Sequence, residues 1–383
     1  MSFNEWRPCK LGDLCESISV THNFQKDSLI FLNTGDIERG KILHRDYSDI
    51  KSMPGQAKKT IKQNDILFSE IRPANGRYAY VDFDADDYVV STKLMVIRSK
   101  QAVLPKFLYL FLTSNQTTDW LQHLAESRSG TFPQITFSQV AGIDINLPSK
   151  PEQEKIVSFL YALDGKIELN RQTNQTLEAI AQAIYKEWFV NFNFPGATGE
   201  MQDSDLGLIP RGWRIISLGE ITDLTWGDTN TTKKSYVPVG YPAFSASGQD
   251  GFLPHHDFDR DGIVISAIGA YAGKTWFAIG KWSCIKNTIR FWSIHPEISN
   301  EYLYMATSGA GFWPLRGSAQ PFISQTDARG LKVLFPSGDI AKKFGEVTNS
   351  IFRQIAENDI QSNYLSQVRD GLLPRLMTGE IEL

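Results

Sequence analysis

Ala272-Gly273-Lys274-Thr275 carries the last residues of a phosphate-binding loop, in which backbone amides cradle phosphates and a lysine meets the terminal ones. Such a loop needs another glycine five positions before Gly273, and the chain has Ile268 there. The matching place earlier in the chain holds Gly76-Arg77-Tyr78, which no phosphate loop tolerates. A strand and a tight turn with a basic tip are expected instead. Pro151-Glu152-Gln153-Glu154-Lys155 contains a nuclease-like Glu-x-Lys but no upstream strand aspartate. His255 and His256 are adjacent rather than one helical turn apart, a poor pair of metal ligands. Neither Gly-x-Ser-x-Gly nor Asn-Pro-Pro-Tyr nor Asp-Pro-Pro-Tyr occurs, and no glycine-rich loop suits S-adenosylmethionine. The expectation is a chain with no catalytic residue, no metal site and no cofactor of its own.

The elements that would position binding residues come in pairs. Glu5–Leu14 (EWRPCKLGDL) is echoed 207 positions later by GWRIISLGEI at Gly212–Ile221. IRPANGR after Ser69-Glu70 is answered near Ser266 by IGAYAGK, and Phe107-Leu108-Tyr109 by Tyr302-Leu303-Tyr304. Pro133-Gln134-Ile135, Gly142–Ile145 and Pro148 return as Pro321-Phe322-Ile323, Gly330–Val333 and Pro336, at a constant offset of 188. The chain is a tandem duplication, each half running from a tryptophan through a globular body into a long helix. IKQNDILFSEIR, YVVSTKLMVIR, DGIVISAIGAY and SCIKNTIRFWSI read as strands bounded by turn residues. Short helices are expected at Pro105–Thr113 and Glu301–Thr307. Each body is α+β and of ordinary domain size.

The helices give the sharpest signal. Ser149-Lys150-Pro151-Glu152 reads as a capping box with proline in the first turn. Beyond it Ile156, Leu160, Leu163, Ile167, Asn170, Asn174, Leu177, Ala181, Ile184 and Trp188 keep strict 4,3 spacing. That is a heptad seam roughly 50 Å long at ~1.5 Å per residue. Phe344, Thr348, Ile351, Ile355, Asn358, Ser362, Leu365, Arg369 and Leu372 repeat the frame. Asn170 and Asn358 fall at equivalent seam positions, where a buried polar residue fixes register, so the helices are expected to pair with each other. The predicted division is a first domain at 1–150, a helix at 151–190, a linker at 191–211, a second domain at 212–338 and a helix at 339–383. The Phe194-Pro195-Gly196 segment is expected to end the first helix, and Pro374 the second. The fold class is then α+β, two similar globular domains joined by two long antiparallel coiled-coil helices in a pseudo-twofold duplication.

Composition excludes several classes. Of 383 residues, 42% are hydrophobic and 21% charged, with no apolar run long enough for a membrane span. Three scattered cysteines cannot build a disulfide framework, and the first residues lack a secretion signal pattern, so a cytoplasmic setting is expected. The net charge of −4 is unevenly placed: +1 over residues 1–150, 0 over 201–335, and −3 and −2 over 151–200 and 336–383. A protein that grips DNA alone usually shows a strongly basic face. This chain has local basic patches at most, so tight DNA binding would need help.

Leu169–Phe189 (LNRQTNQTLEAIAQAIYKEWF), Asp205–Ile221 (DLGLIPRGWRIISLGEI), Gly142–Ile156 (GIDINLPSKPEQEKI) and Leu372–Leu383 (LLPRLMTGEIEL) resemble the specificity subunits of type I restriction–modification enzymes. The resemblance extends over the whole chain and its duplicated order. It implies that each body is a target-recognition domain reading half of a split double-stranded DNA sequence. It also implies that the paired helices set the gap between the halves. Two methyltransferase subunits, using their own S-adenosylmethionine, and two ATP- and Mg-dependent translocase–endonuclease subunits would supply the chemistry. The alternative is a duplicated coiled-coil scaffold that binds protein only.

If the bodies read DNA, base and phosphate contacts favour Arg, Lys, Asn, Gln, Ser and Tyr on loops. The candidates are Arg72, Asn75, Arg77, Tyr78, Lys93 and Arg128 in the first body. In the second they are Lys233, Lys234, Tyr271, Lys274, Asn287, Arg316 and Gln320. Tyr78 and Tyr271 could equally be half-buried strand residues. Trp6 and Trp213 read as packing anchors. Trp188, Phe189, Phe192 and Phe194 form an aromatic helix end that docks either on the second body or on a methyltransferase subunit. FLNTGDIERGKI in the first body has no close mate, the second offering YPAFSASGQDGF, so the two half-sites are expected to differ. Inserting four residues in one long helix adds ~6 Å, near two base pairs at ~3.4 Å each. The insertion should therefore lengthen the gap and leave both half-sites unchanged in a methylation map; an altered half-site with an unchanged gap would refute the ruler.

Overall fold

The computed structural model describes residues 6–128 and 131–383, the side chain of Arg128 excepted. The chain divides into two units, Met1–Ile167 with Asn363–Leu383, and Glu168–Ser362. Each is a mixture of helix and sheet, and each is rich in sheet. Among the described residues, no helix is long and apolar enough to cross a membrane.

In the first unit, strand Arg7–Lys10 pairs antiparallel with Asp144–Leu147, tying the start of the body to the residues just before the long helix. A four-stranded antiparallel sheet runs in the order Cys15–Ile18, Leu94–Ser99, Ile66–Ser69, Tyr78–Tyr80. A second runs Tyr47–Asp49, Ser28–Leu32, Tyr88–Ser91, Ala57–Thr60, with its middle pair parallel. YVVSTKLMVIR is thus two strands in two sheets, broken at Thr92-Lys93. The sheet-to-helix core is built from Leu11, Leu14, Phe68, Ile97, Phe107, Leu108 and Leu160, all fully buried.

The second unit repeats the plan. Arg214–Ser217 pairs with Lys332–Phe335, and the main sheet runs Thr222–Trp226, Thr288–Ser293, Gly262–Ser266, Thr275–Ala278. Its other sheet runs Gly248–Leu253, Tyr241–Ser245, Lys281–Cys284, Phe258–Asp259, again with a parallel middle pair. Ser28–Leu32 and Tyr241–Ser245 are therefore mates in pairing although their sequences do not match. The chain diverges after them: the first unit enters a small hairpin, Ile37–Glu38 with Lys41–Ile42, whereas the second turns straight into Gly248–Leu253.

The two long helices are Lys150–Phe189 and Ile340–Thr378. All nineteen heptad positions named above are buried or half-buried. Within the second unit, Asn170 Nδ2 donates to Asn358 O (3.3 Å) and Gln361 Oε1 (2.9 Å), Asn358 Nδ2 to Asn174 Oδ1 (2.8 Å), and Asn174 Nδ2 to Asp359 Oδ1 (2.8 Å). Within the first unit, Arg369 Nη1 donates to Asp164 Oδ1 at 2.6 Å. In the second unit, partners fall along one helix as they rise along the other, the order of an antiparallel pair.

The first helix ends within a residue of the expected boundary at 190, without the Phe194-Pro195-Gly196 segment being what stops it, and the second runs past the proline expected to end it. The first helix stops at Phe189, ahead of Phe194-Pro195-Gly196. Phe192 turns left-handed (φ 60°), and the Glu187 carboxylate accepts from Asn191 and Asn193 Nδ2. The turn lets Phe189, Phe192 and Phe194 converge on Trp213, with ring centroids 6.0, 5.7 and 4.8 Å away, an arrangement that helical spacing forbids. The aromatic helix end thus packs on the second body, and Trp213 is 1% exposed. Pro374 does not end the second helix, which continues to Thr378. Leu376 and Met377 are buried in the first unit's core and hold the extra turn in place. Gly379, left-handed at φ 73°, then lies against the Trp6 ring.

Gln153, fully buried in the first helical turn, accepts from the Leu104 amide (2.8 Å) and donates to the Pro148 and Ala102 carbonyls (3.0 and 3.3 Å). Gln153→Ala strips three backbone groups, one of them in a buried bond and two in part-buried ones, of their partner, at a cost of about 1–3 kcal/mol. Gln172→Ala, on the exposed face of the same helix, should stay within about 0.5 kcal/mol. Chemical denaturation of the two variants checks the contrast.

Candidate nucleic-acid interface

The residues that could touch a ligand are mounted on a main-chain frame that occurs once in each unit. In the first unit, the amide of Ser69 donates to Arg77 O (2.9 Å), Glu70 to Lys93 O (3.0 Å), Arg72 to Pro133 O (3.1 Å), and Ile135 to Glu70 O (2.9 Å). In the second, Ser266 donates to Lys274 O (2.9 Å), Ala267 to Asn287 O (2.9 Å), Gly269 to Pro321 O (2.8 Å), and Ile323 to Ala267 O (2.9 Å). Each frame joins a hairpin tip, the turn before the next sheet strand and the extended segment before a short helix. Three stretches distant in sequence thereby meet at one end of the main sheet. The frame makes Arg77 the equivalent of Lys274, Lys93 of Asn287, and Arg72 of Gly269.

In the second unit the frame brings most candidates together. Tyr271 and Lys274 sit on the hairpin tip, with the Lys274 ammonium 4.6 Å above the exposed Tyr271 ring. Asn287 occupies the adjoining turn in a left-handed conformation (φ 71°) and is exposed. Arg316 and Gln320 lie on the loop closed by reciprocal backbone bonds between Arg316 and Phe322, and Arg316 is ion-paired with Asp327 at 2.6 Å. Lys233 and Lys234 stand on a neighbouring one-turn helix; Lys233 is paired with Asp250, while Lys234 is exposed. That segment reaches the Asn287 turn through Lys286 N–H to Thr231 O (3.2 Å). Lys286 itself is exposed beside Asn287. Sequence reading missed it; the signal was a lysine-asparagine pair just before a strand.

The first unit sorts its candidates differently. Arg72 is exposed and left-handed (φ 44°), capping a one-turn helix, Pro73–Asn75, that exposes Asn75. Lys93 is exposed at its turn. Behind it, the buried Lys59 ammonium donates to the carbonyls on either side, Thr92 O (3.0 Å) and Leu94 O (2.8 Å). Burial pushes the Lys59 pKa below the ordinary lysine value. Arg77 faces inward: its Nη1 donates to Ile37 O (3.0 Å) and Gly35 O (3.5 Å), so it fastens the Ile37–Ile42 hairpin. Tyr78 is the half-buried strand residue of the two readings, stacked on Phe68 and edge-on to Tyr109, with burial raising its hydroxyl pKa. The side chain of Arg128 lies outside the described residues.

Two of the three thiols are buried. Burial pushes the Cys15 thiol to about 11 and Cys284 to about 12, leaving essentially no thiolate at neutral pH. Among the described residues, no cluster of three His, Cys, Asp or Glu could hold a metal ion. What remains exposed on both frames is a set of cations and amides on rigid turns, the chemistry of phosphate and base-edge contacts.

The different roles of equivalent residues can be tested. Arg77→Ala releases the buried end of a hairpin and should cost about 1–2 kcal/mol of stability. Lys274→Ala removes an exposed cation–π contact and should cost less than about 1 kcal/mol. Thermal denaturation of the two variants would show equal losses if the Arg77 bonds carried no structural load.

Residues 4–179 match the family model of the type I restriction modification DNA specificity domain. The chain is 32% identical to the specificity subunit of the type I restriction enzyme HindI of Haemophilus influenzae, over 99% of this chain and 100% of that protein. It is 24% identical to the MjaIX specificity subunit of Methanocaldococcus jannaschii, over 74% of this chain and 71% of that one. Among solved structures, the S subunit of a type I restriction-modification system from M. genitalium shares the fold with a TM-score of 0.63, at 16% identity over 98% of this chain and 97% of that chain. With a full-length relative above 30% identity and the same fold in a solved subunit, the chain belongs to the specificity subunits of type I restriction enzymes.

Proposed function

We propose that this subunit recognises an asymmetric, bipartite sequence in double-stranded DNA, each sheet-rich unit reading one half-site through its hairpin-tip frame. The observation that carries the reading is the same set of four main-chain bonds in both units, presenting different side chains in each. Arg72, Asn75 and Lys93 project from one; Tyr271, Lys274, Asn287 and Gln320 from the other. A repeated frame suits two copies of the same task, and unlike side chains suit unlike sequences.

In this proposal the long helices form an antiparallel coiled coil that sets the gap, with Asn170 and Asn358 fixing its register. The subunit is not an enzyme. Two methyltransferase subunits supply adenine methylation with S-adenosylmethionine, and two translocase–endonuclease subunits act with ATP and Mg. A cytoplasmic setting follows from that work. Partners completing a clamp around the duplex also account for the near-neutral charge of both bodies, since counterion release need not come from this chain alone.

Single-molecule sequencing of adenine methylation in the source genome, with and without this gene, tests the reading. Loss of methylation at one split, non-palindromic motif is the expected outcome and would return both half-sites and the gap together. An unchanged pattern while the gene is expressed alongside its partner subunits would favour a protein-binding scaffold instead.

A further inference from the structure

Among the described residues, five that are not glycine adopt a left-handed backbone: Arg39, Asn64, Arg72, Phe192 and Asn287. Asn64 is of a type that tolerates the conformation, and Phe192 is explained by its packing on Trp213. Arg72 and Asn287 belong to the two frames. Arg39 remains, and nothing in the sequence had singled it out.

Arg39 and Gly40 are the two central residues of the Ile37–Ile42 hairpin, with φ values of 42° and 89°. Positive φ at both positions makes the two-residue turn that matches strand twist, which favours asparagine, aspartate or glycine first and glycine second. Arginine at the first position is strained, and the surrounding structure holds it there. The Arg39 amide donates to Gly76 O (2.7 Å) and the Gly40 amide to Tyr78 O (2.8 Å). Arg77 pins the hairpin from behind through Ile37 O. Gly76, itself left-handed at φ 68°, leaves room for the Arg39 stem: a Cβ there would meet Arg39 Cγ at 2.8 Å. The Gly76 amide closes the Pro73–Asn75 turn that Arg72 caps. Two strained arginines thus flank one turn at the hairpin end of the main sheet.

The Arg39 side chain is exposed, and among the described residues it makes no ion pair. The nearby carboxylates Asp164 and Asp370 are already bonded to Arg369. The second unit has no counterpart, because its chain turns directly from Tyr241–Ser245 into Gly248–Leu253. We infer that Arg39 is a specificity-determining residue of the first half-site, its guanidinium meeting the O6/N7 edge of one guanine in the major groove. The inference rests on the DNA-reading assignment of the first unit. A strained, doubly tethered backbone fixes where the side chain leaves the main chain, which favours a positioned two-pronged base contact over a simple charge near phosphate. The sequence signal was faint: an Arg-Gly pair between Ile-Glu and Lys-Ile, inside the one stretch without a mate.

The geometry supplies a clean variant. Arg39→Gly relieves the strain while removing the side chain, so its melting temperature should equal or exceed that of the parent. The measurement is methylation by the assembled methyltransferase complex, across a library varying every position of both half-sites at several salt concentrations. The expected result is a 5- to 100-fold loss of discrimination at a single G·C pair of the first half-site, with the second half-site unchanged. Arg39→Lys, which keeps the charge and loses the fork, should show most of the same loss. Unchanged discrimination at every position overturns the inference. A uniform drop over all sequences with a shallower salt dependence overturns it too, by making Arg39 a phosphate contact. If the parent complex itself shows no bipartite preference, the DNA-reading assignment fails and takes this inference with it.

Discussion

Four backbone hydrogen bonds, made once in each unit, position the residues on which the proposed reading of DNA rests. They tie a hairpin tip to the turn before the neighbouring strand and to an extended segment that follows much later in the chain. Because only amides and carbonyls take part, the side chains at those positions are free to differ. The frame at Ser69–Arg77 carries Arg72, Asn75 and Lys93 outward, whereas that at Ser266–Lys274 carries Tyr271, Lys274 and Asn287. A binding surface whose rigidity comes from the main chain can change what it reads without changing how it folds, which is what a specificity subunit requires.

Polar side chains bonded to the main chain stiffen the region behind the frame. Lys59 is held against two carbonyls that bracket Lys93, and Arg77 spends its guanidinium on the hairpin that presents Arg39. Gln153 links the start of the long helix to the loop before Pro105. Each is a charged or amide side chain that a surface reading would give to a ligand. Each instead satisfies buried or part-buried backbone atoms, which would otherwise lose a partner on folding. The asparagines of the helix seam follow the same rule: Asn170, Asn174 and Asn358 satisfy one another across the pair, and mispairing would strand them.

Much of this was legible beforehand. The repeated segments gave the duplicated order, and the 4,3 spacing marked helix faces whose every position is buried or half-buried. Strand and short-helix positions followed from apolar runs between turn residues. The catalytically empty inventory and the family resemblance led to the same conclusion. Harder to see were the limits of the helices. Proline at 374 reads as a stop, but Leu376 and Met377 have a core to enter, and tertiary burial outweighs the lost backbone bond.

The sequence by itself determined the repeat, the helix seams and the chemical types on offer, because these depend on residue spacing along one chain. Which cation faces outward and which is consumed inward was decided only by the tertiary structure. Arg77 and Lys274 occupy equivalent places in the frame, yet one serves carbonyls of a hairpin that the other half lacks, and the other lies over an exposed ring. Arg39 came into view only when its backbone angle and its bonds to Gly76 and Tyr78 were known. Those partners lie some forty residues away, and no local pattern records them.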